Sequence, residues 1–405
     1  MAVLLGVLGL ACGSPPPESS PGVPRFSSVS RRAPSDDLAA ARVVARAQTR
    51  LALSLLDERP RDANALLGAY GLNALLTMLA LAGDESTERA VYGTLGLEGE
   101  RAELQQAFNT LDQTLASRGA ERVENEPLPF VLRNERALFV RPDFPIRGAL
   151  LDDLARWHGS GAHEVDFSRT EGIAAVNAWL DERTEGAIPS VLDRPIVDAR
   201  AVWVDATYFS AMWALPFSPD NTVELPFRTV DGEVTVPTMR GRPGSRFAEG
   251  TGWRAAHLPY GGGEVAMWIV VPADPSTFRL DFTTLETIAS RFEPFEVNVS
   301  LPRFTIDAQL DDLGGDLEAR ALPIEGPWSR LSTEDTFVAS IGQRATIRVD
   351  ELGTVAAAAS YLLSGGISVR EVRDLVVDRP FYFVIRDLPT EATLFVGRVV
   401  DPSAR

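Results

Sequence analysis

The chain contains no lysine. All 39 basic residues are arginine, and against 56 acidic residues they leave a net charge of −17. Such an excess repels nucleic acid and anionic lipid unless a basic patch offsets it. None is visible: the densest pair, Arg31 and Arg32, lies in a Ser/Pro-rich tail. Cysteine is almost missing too, and the single Cys12 excludes a disulfide within the chain. Histidine is scarce enough for its catalytic uses to be enumerated. His158 and His163 are five apart, which does not bring both to one helix face as the spacing of HExxH does, so no metal site is expected. His257 has no acidic neighbour in sequence, and no GxSxG elbow is present, so a Ser-His-Asp hydrolase lacks its signature. The glycines Gly261–Gly263 read as a hairpin turn rather than a phosphate loop. An enzyme is not expected, and no cofactor is implied.

Long apolar runs are also absent. The opening stretch MAVLLGVLGLAC is too short to span a bilayer, and a Pro/Ser/Gly-rich stretch comes after it. Residues 1–12 therefore read as a signal-like segment and residues 13–38 as a linker. Gly9-Leu10-Ala11-Cys12 resembles a bacterial lipoprotein cleavage box, which implies lipid attachment at Cys12 and a secreted or cell-envelope location, with the membrane reached only through that lipid. The alternative is an ordinary signal peptide that is wholly removed.

The sequence does have an α-rich first half and a β-rich second half. Apolar spacing predicts helices over Asp37–Glu58, Ala63–Gly83, Glu100–Arg118, Gly148–His158 and Arg169–Glu185. Beyond Arg200 the runs Ala201–Phe209, His257–Pro272, Glu296–Asp307, Ala345–Val349 and Phe381–Ile385 carry β-branched and aromatic residues between Gly/Pro turns, which predicts strands. Helices succeeded by strands indicate an α+β fold rather than βαβ units. One stretch resists this division. VDELGTVAAAASYLL (Val349–Leu363) carries four alanines that suit a helix, yet it lies between two strand-like runs.

That stretch, with DRPFYFVIRDLPTEATLFVGRVVDP (Asp378–Pro402) behind it, resembles the hinge, reactive loop and closing strands of the serpin family. NERALFV (Asn134–Val140), VDF (Val165–Phe167) leading to VNAWLDERTEGAIPSVL (Val176–Leu192), DATYFSAMWALPF (Asp205–Phe217), HLPYGGGEVAMWIVVP and LPRFTID fall in the family's order. The resemblance runs from about Ala39 to Pro402. It implies one serpin domain over 39–405, with helices packed on a large central mixed sheet, two further sheets and an exposed reactive-centre loop at about 353–379.

The function implied is suicide-substrate inhibition of a serine protease, in which the acylated loop inserts into the central sheet; serpin loop insertion is a known instance of strand addition. The residues meet the physical requirement for it. Thr354, Ala356, Ala358 and Ser360 form one small strand face, Val355, Ala357, Ala359 and Tyr361 lie on the other, less restrictive one, and no proline interrupts from Gly353 to Ile367. Glu351 and Gly353 match the family's hinge. Counting from Glu351 as the seventeenth residue before the cut places the reactive bond at Ile367-Ser368, with Arg370-Glu371 as second choice. An Ile there implies an elastase-like or subtilisin-like partner with an apolar primary pocket; an Arg implies a trypsin-like one. In the sheet-opening region Trp213 matches the family, while Gly68, Gly71, Asp205 and Gln343 replace its usual residues, and Asp205 and Gln343 are expected to pair as a charge-assisted latch. No basic stripe marks Glu100–Arg118, so no polyanion cofactor is expected, and a monomer is. The alternative is a non-inhibitory serpin-fold binding protein or chaperone.

Overall fold

The computed structural model describes residues 23–118, 130–183, 186, 190, 192–197, 200–310, 313–322, 326–334, 343–354 and 371–404. In chain order the first half runs β1 (Val23–Arg25), α1 (Ala39–Asp57), β2 (Ala65–Leu67), α2 (Ala69–Ala82), α3 (Glu85–Thr94), α4 (Arg101–Ala116), β3 (Phe130–Val140), α5 (Gly148–His158), β4 (Ala162–Glu164), α6 (Thr170–Arg183) and β5 (Ala201–Met212). The second half runs β6 (Val223–Arg228), β7 (Glu233–Gly250), β8 (Trp253–Pro259), β9 (Val265–Pro272), α7 (Phe282–Arg291), β10 (Glu293–Pro302), β11 (Phe304–Leu310) and α8 (Leu313–Glu318). It closes with β12 (Gln343–Val349), β13 (Gly353–Thr354), β14 (Val372–Val376), β15 (Phe381–Asp387) and β16 (Thr393–Val399).

Seven strands make the central sheet, in the order β1-β4-β3-β5-β13-β12-β11. It is mixed: β3 runs parallel to β4 and antiparallel to β5. One face rests on the main core. Its most enclosed helix, α2, is buried at every position, because its apolar residues go all the way round rather than along one stripe. The opposite face is covered by α6, whose Ile173, Val176, Trp179 and Leu180 pack on Ala137, Phe139 and Val204 of β3 and β5. The remaining strands join through the 18-residue β7, which pairs with β6 and β10 along most of its length and with β8 at its end. The two further sheets expected from sequence thus share one continuous hydrogen-bonded path.

Four expectations are corrected. Ala63–Gly83 is not all helix: Ala65–Leu67 is a strand paired with β16, and α2 begins only at Ala69. A short apolar run reads equally as helix or strand, and here the partner strand decides. Glu296–Asp307 is two strands, because the chain leaves β10 at Pro302 and enters the central sheet as β11. Helix α3 was not anticipated, although Asp84 caps it by accepting from the Thr87 N–H at 2.8 Å. Finally, residues 23–38 are not a linker, since β1 pairs with β4 and the residues after it lie against α4 and α5. Cys12 and the signal-like segment fall outside the described residues.

Candidate functional site

The hinge is held at the top of the central sheet. Gly353 and Thr354 form β13, pairing with Met212 and Ala211 of β5 on one side, while Thr354 pairs with Val349 of β12 on the other. Among the described residues no register pairs join β5 directly to β12. Two residues of the hinge therefore occupy the head of a slot between two strands. Gly353 is required there: its φ is +155°, and a Cβ would run into the backbone oxygen of Ala211. Thr354 is buried, and its hydroxyl lies 2.6 Å from the Tyr260 hydroxyl. Burial pushes the Tyr260 phenol well up, so it keeps its proton and can donate.

The turn before β13 is fixed as firmly. Glu351 accepts two bonds from Arg303, at 2.8 and 2.6 Å, and one from the Thr222 hydroxyl. Burial raises its carboxyl, but these donors outweigh burial and hold it below the usual glutamate range. Trp213 donates its indole N–H to the Asp350 carbonyl at 3.0 Å and its backbone N–H to the Leu352 carbonyl at 2.9 Å. Its ring stacks on Tyr260, with centroids 4.6 Å apart. Sequence reading found Glu351, Gly353, Thr354 and Trp213 but missed Tyr260, Thr222 and Arg303, which come from three distant segments. The only signal was Tyr260's place beside the triple glycine.

Lower in the slot, the first turn of α2 bridges β5 and β12, and the expected Asp205–Gln343 pairing is replaced by another arrangement. The Gln343 side chain clamps Gly68, accepting from its N–H at 2.9 Å and donating to its carbonyl at 2.8 Å. Asp205 instead faces Arg136 at 3.6 Å and accepts from the Thr207 hydroxyl at 3.3 Å. Its carboxylate occupies the space that a Cβ at Gly71 would need. Both glycines are thus explained: one leaves its backbone open to the Gln343 amide, and the other makes room for a carboxylate.

The histidines are structural. His158 bonds Gln105 through Nε2 at 3.0 Å, and burial, reinforced by Arg136, keeps it neutral. His163 packs among Phe26, Phe139 and Trp179. His257 approaches Ser245 at 3.2 Å, but its other neighbours are the rings of Trp268 and Phe292, and burial lowers its pKa to about 4. Of the loop residues singled out by sequence, Ala356, Ala357, Ala358, Ala359, Ile367, Ser368 and Arg370 lie outside the described residues. Glu371 lies within them, its carbonyl accepting from the Glu296 N–H at 3.2 Å.

The hinge is thus a short strand of two small residues, Gly353 and Thr354, seated between β5 and β12 of the central sheet. The chain belongs to the serpin family, described as serine protease inhibitors, whose sequence profile matches residues 46–402. It is 27% identical to the bovine (Bos taurus) plasminogen activator inhibitor 1 over 363 residues, covering 84% of this chain and 88% of that one. It is 28% identical to the pig (Sus scrofa) leukocyte elastase inhibitor over 384 residues, covering 88% and 98%. Among solved structures, the thermophilic serpin tengpin in its native state superposes with a TM-score of 0.79 at 18% identity, covering 93% and 97% of the two chains. Human thyroxine-binding globulin with its ligand gives 0.77 at 21%, covering 90% and 100%. Serpins are inhibitors rather than catalysts.

Proposed function

We propose that this serpin is a suicide-substrate trap for a serine protease with an apolar primary pocket, elastase-like or subtilisin-like, and that it acts as a secreted or envelope-bound monomer carrying a lipid on Cys12. The observation that carries the reading is the seating of Gly353 and Thr354 between β5 and β12, because it supplies both the slot and the direction of entry. The protease serine attacks the scissile carbonyl and forms an acyl-enzyme, leaving the loop cut behind it. The residues that come after Thr354 then add to the sheet. Each new backbone hydrogen bond contributes about 1 kcal/mol net, so a dozen residues release on the order of 10 kcal/mol. Moving a catalytic group by about 1 Å costs a factor of ~10² in rate, so a fraction of that release suffices to stall deacylation.

The reactive bond is Ile367-Ser368. The rival bond, Arg370-Glu371, abuts an anchored residue, since the Glu371 backbone is already bonded to β10 at Glu296. A protease cleft needs free backbone on both sides of the bond it cuts, which favours the earlier position. The test is to mix the protein with elastase-like, subtilisin-like and trypsin-like proteases, run denaturing gels and weigh the released C-terminal fragment. An adduct stable in detergent, with a fragment beginning at Ser368, is expected from an apolar-pocket enzyme. Clean cleavage without an adduct from all three would replace this reading with that of a serpin-fold binding protein.

A further inference from the structure

The N-terminal segment does something the trapping mechanism does not require. β1 extends the central sheet at its edge, pairing Val23, Pro24 and Arg25 with Glu164, His163 and Ala162 of β4, and Arg25 forms an ion pair with Glu164. Phe26 then lies over Gly161, edge-on to His163, where any side chain at position 161 would collide with it. From Ser27 onward the same segment is bonded to helices instead, Ser27 donating to Asp152 of α5 at 2.5 Å. The Arg32 N–H donates to the Arg156 carbonyl of α5 at 2.8 Å, and the Arg32 carbonyl accepts from Asn109 and Gln113 of α4, each at 2.9 Å. Ala33 and Ser35 are held by Gln106 and Thr110 of α4 at 3.0 Å. Most of these bonds are to backbone, which is how an extended peptide is recognised.

Arg31 carries the connection inward. It donates to Asn109 at 2.9 Å and pairs with the buried Asp112, which also binds Arg136 and the Tyr70 hydroxyl. Arg136 in turn faces Asp205, the group seated against Gly71. The line of charge therefore runs from the N-terminal segment through α4 and β3 to β5, the strand that borders the insertion slot. Asp112 is burdened by burial, and Arg136 with Arg31 outweighs that burden.

We propose that the face built by α4, α5 and the edge of β4 is a receptor for an extended peptide with paired arginines, that residues 23–35 are its built-in occupant, and that their docking holds the central sheet shut. The reason is mechanical. If the proposed insertion parts β5 from β12, the strands hydrogen-bonded in series to β5, namely β3, β4 and β1, shift with it relative to α4. The segment is bonded to these strands at one end and to the helices at the other, so they cannot shift without breaking one set of bonds. The sheet-holding part rests on the proposed loop insertion, whereas the receptor part does not.

The test uses the full chain with Arg25→Glu, Arg31→Glu and Arg32→Glu together, plus a synthetic peptide VPRFSSVSRRAPS. Two quantities are read: peptide binding by fluorescence anisotropy, and the rate at which uncleaved protein converts on mild warming to a heat-resistant form whose loop no longer cleaves. The variant is expected to bind the peptide saturably and to convert at least tenfold faster than the natural chain. Added peptide should restore the slow rate, while a peptide with Arg31→Ala should not. No binding by the variant, or equal binding by the natural chain, overturns the receptor. Equal conversion rates overturn the hold on the sheet. If neither protein ever converts and nicked protein gains no heat resistance, the loop-inserting reading itself has failed, and the binding result still decides the receptor. Should the triple variant not fold, Arg31→Gln alone carries the same expectation at about threefold.

Discussion

Glu351 shows how much a single side chain can decide. Its carboxylate holds the turn that presents the hinge, with Arg303 and Thr222 as its donors. Because those donors depress its pKa, its contribution is complete at neutral pH and above and is lost only as the pH falls through the lowered value, below the ordinary ~4.3 of glutamate. The hinge should resist limited proteolysis at pH 5 to 8 and open to it only in stronger acid. Glu351→Gln should open it at every pH, with a loss of about 1–3 kcal/mol in denaturant unfolding. Protection at pH 7 that equals the natural protein's would show that the anchor is elsewhere. The need for a small, uncharged hinge face was readable beforehand, because strand periodicity alone says which residues face inward. That Thr354 would meet Tyr260, and Glu351 Arg303, was not readable, because such pairings are set by tertiary folding across some 50 to 90 residues of chain.

Among elements, α2 has the largest role for its length, since its first turn touches both walls of the slot. Gln343 reaches Gly68 from β12, and Asp205 fills the space at Gly71 from β5. Gly71→Ser should drive the carboxylate off its seat and lower the urea midpoint by an amount equivalent to about 1–3 kcal/mol. Adding Asp205→Ala, which empties the contested space, should recover part of that loss. Simple additivity of the two changes would mean that they do not share the space. Element boundaries were legible where a stop signal existed. The five anticipated helices all occur, and α5 falls on Gly148–His158 as expected because Gly159 turns left-handed directly after it. They failed where burial hid the signal: ALL before α2 has no polar position from which a period could be read, and β10 and β11 differ only in which sheet receives them.

At the scale of the whole molecule, the central fact is that the hinge enters the central sheet between β5 and β12 through Gly353 and Thr354. If the loop is destined for that place, protein nicked once in the loop should melt well above the intact form, since about a dozen further hydrogen bonds would form. A calorimetric scan of intact and nicked protein measures this directly, and equal melting temperatures would remove the driving force for insertion. Composition alone did not reveal the single-domain architecture, because 405 residues suit two or three domains equally well. The order of motifs along the chain did. The part played by the N-terminal segment stayed hidden, because a Ser/Pro-rich tail with two arginines looks solvated until the acidic and amide side chains of α4 are seen beneath it.

Thr354 already stands in register between Ala211 and Val349. If the loop inserts as proposed, folding performs the slow first step of zipping before any protease arrives, and the remaining rungs are added by elongation from a fixed starting tooth. Slippage by one place would turn Val355 and Tyr361 toward the interior in place of alanine and serine, so the tooth also proofreads the alignment of every rung laid down after it.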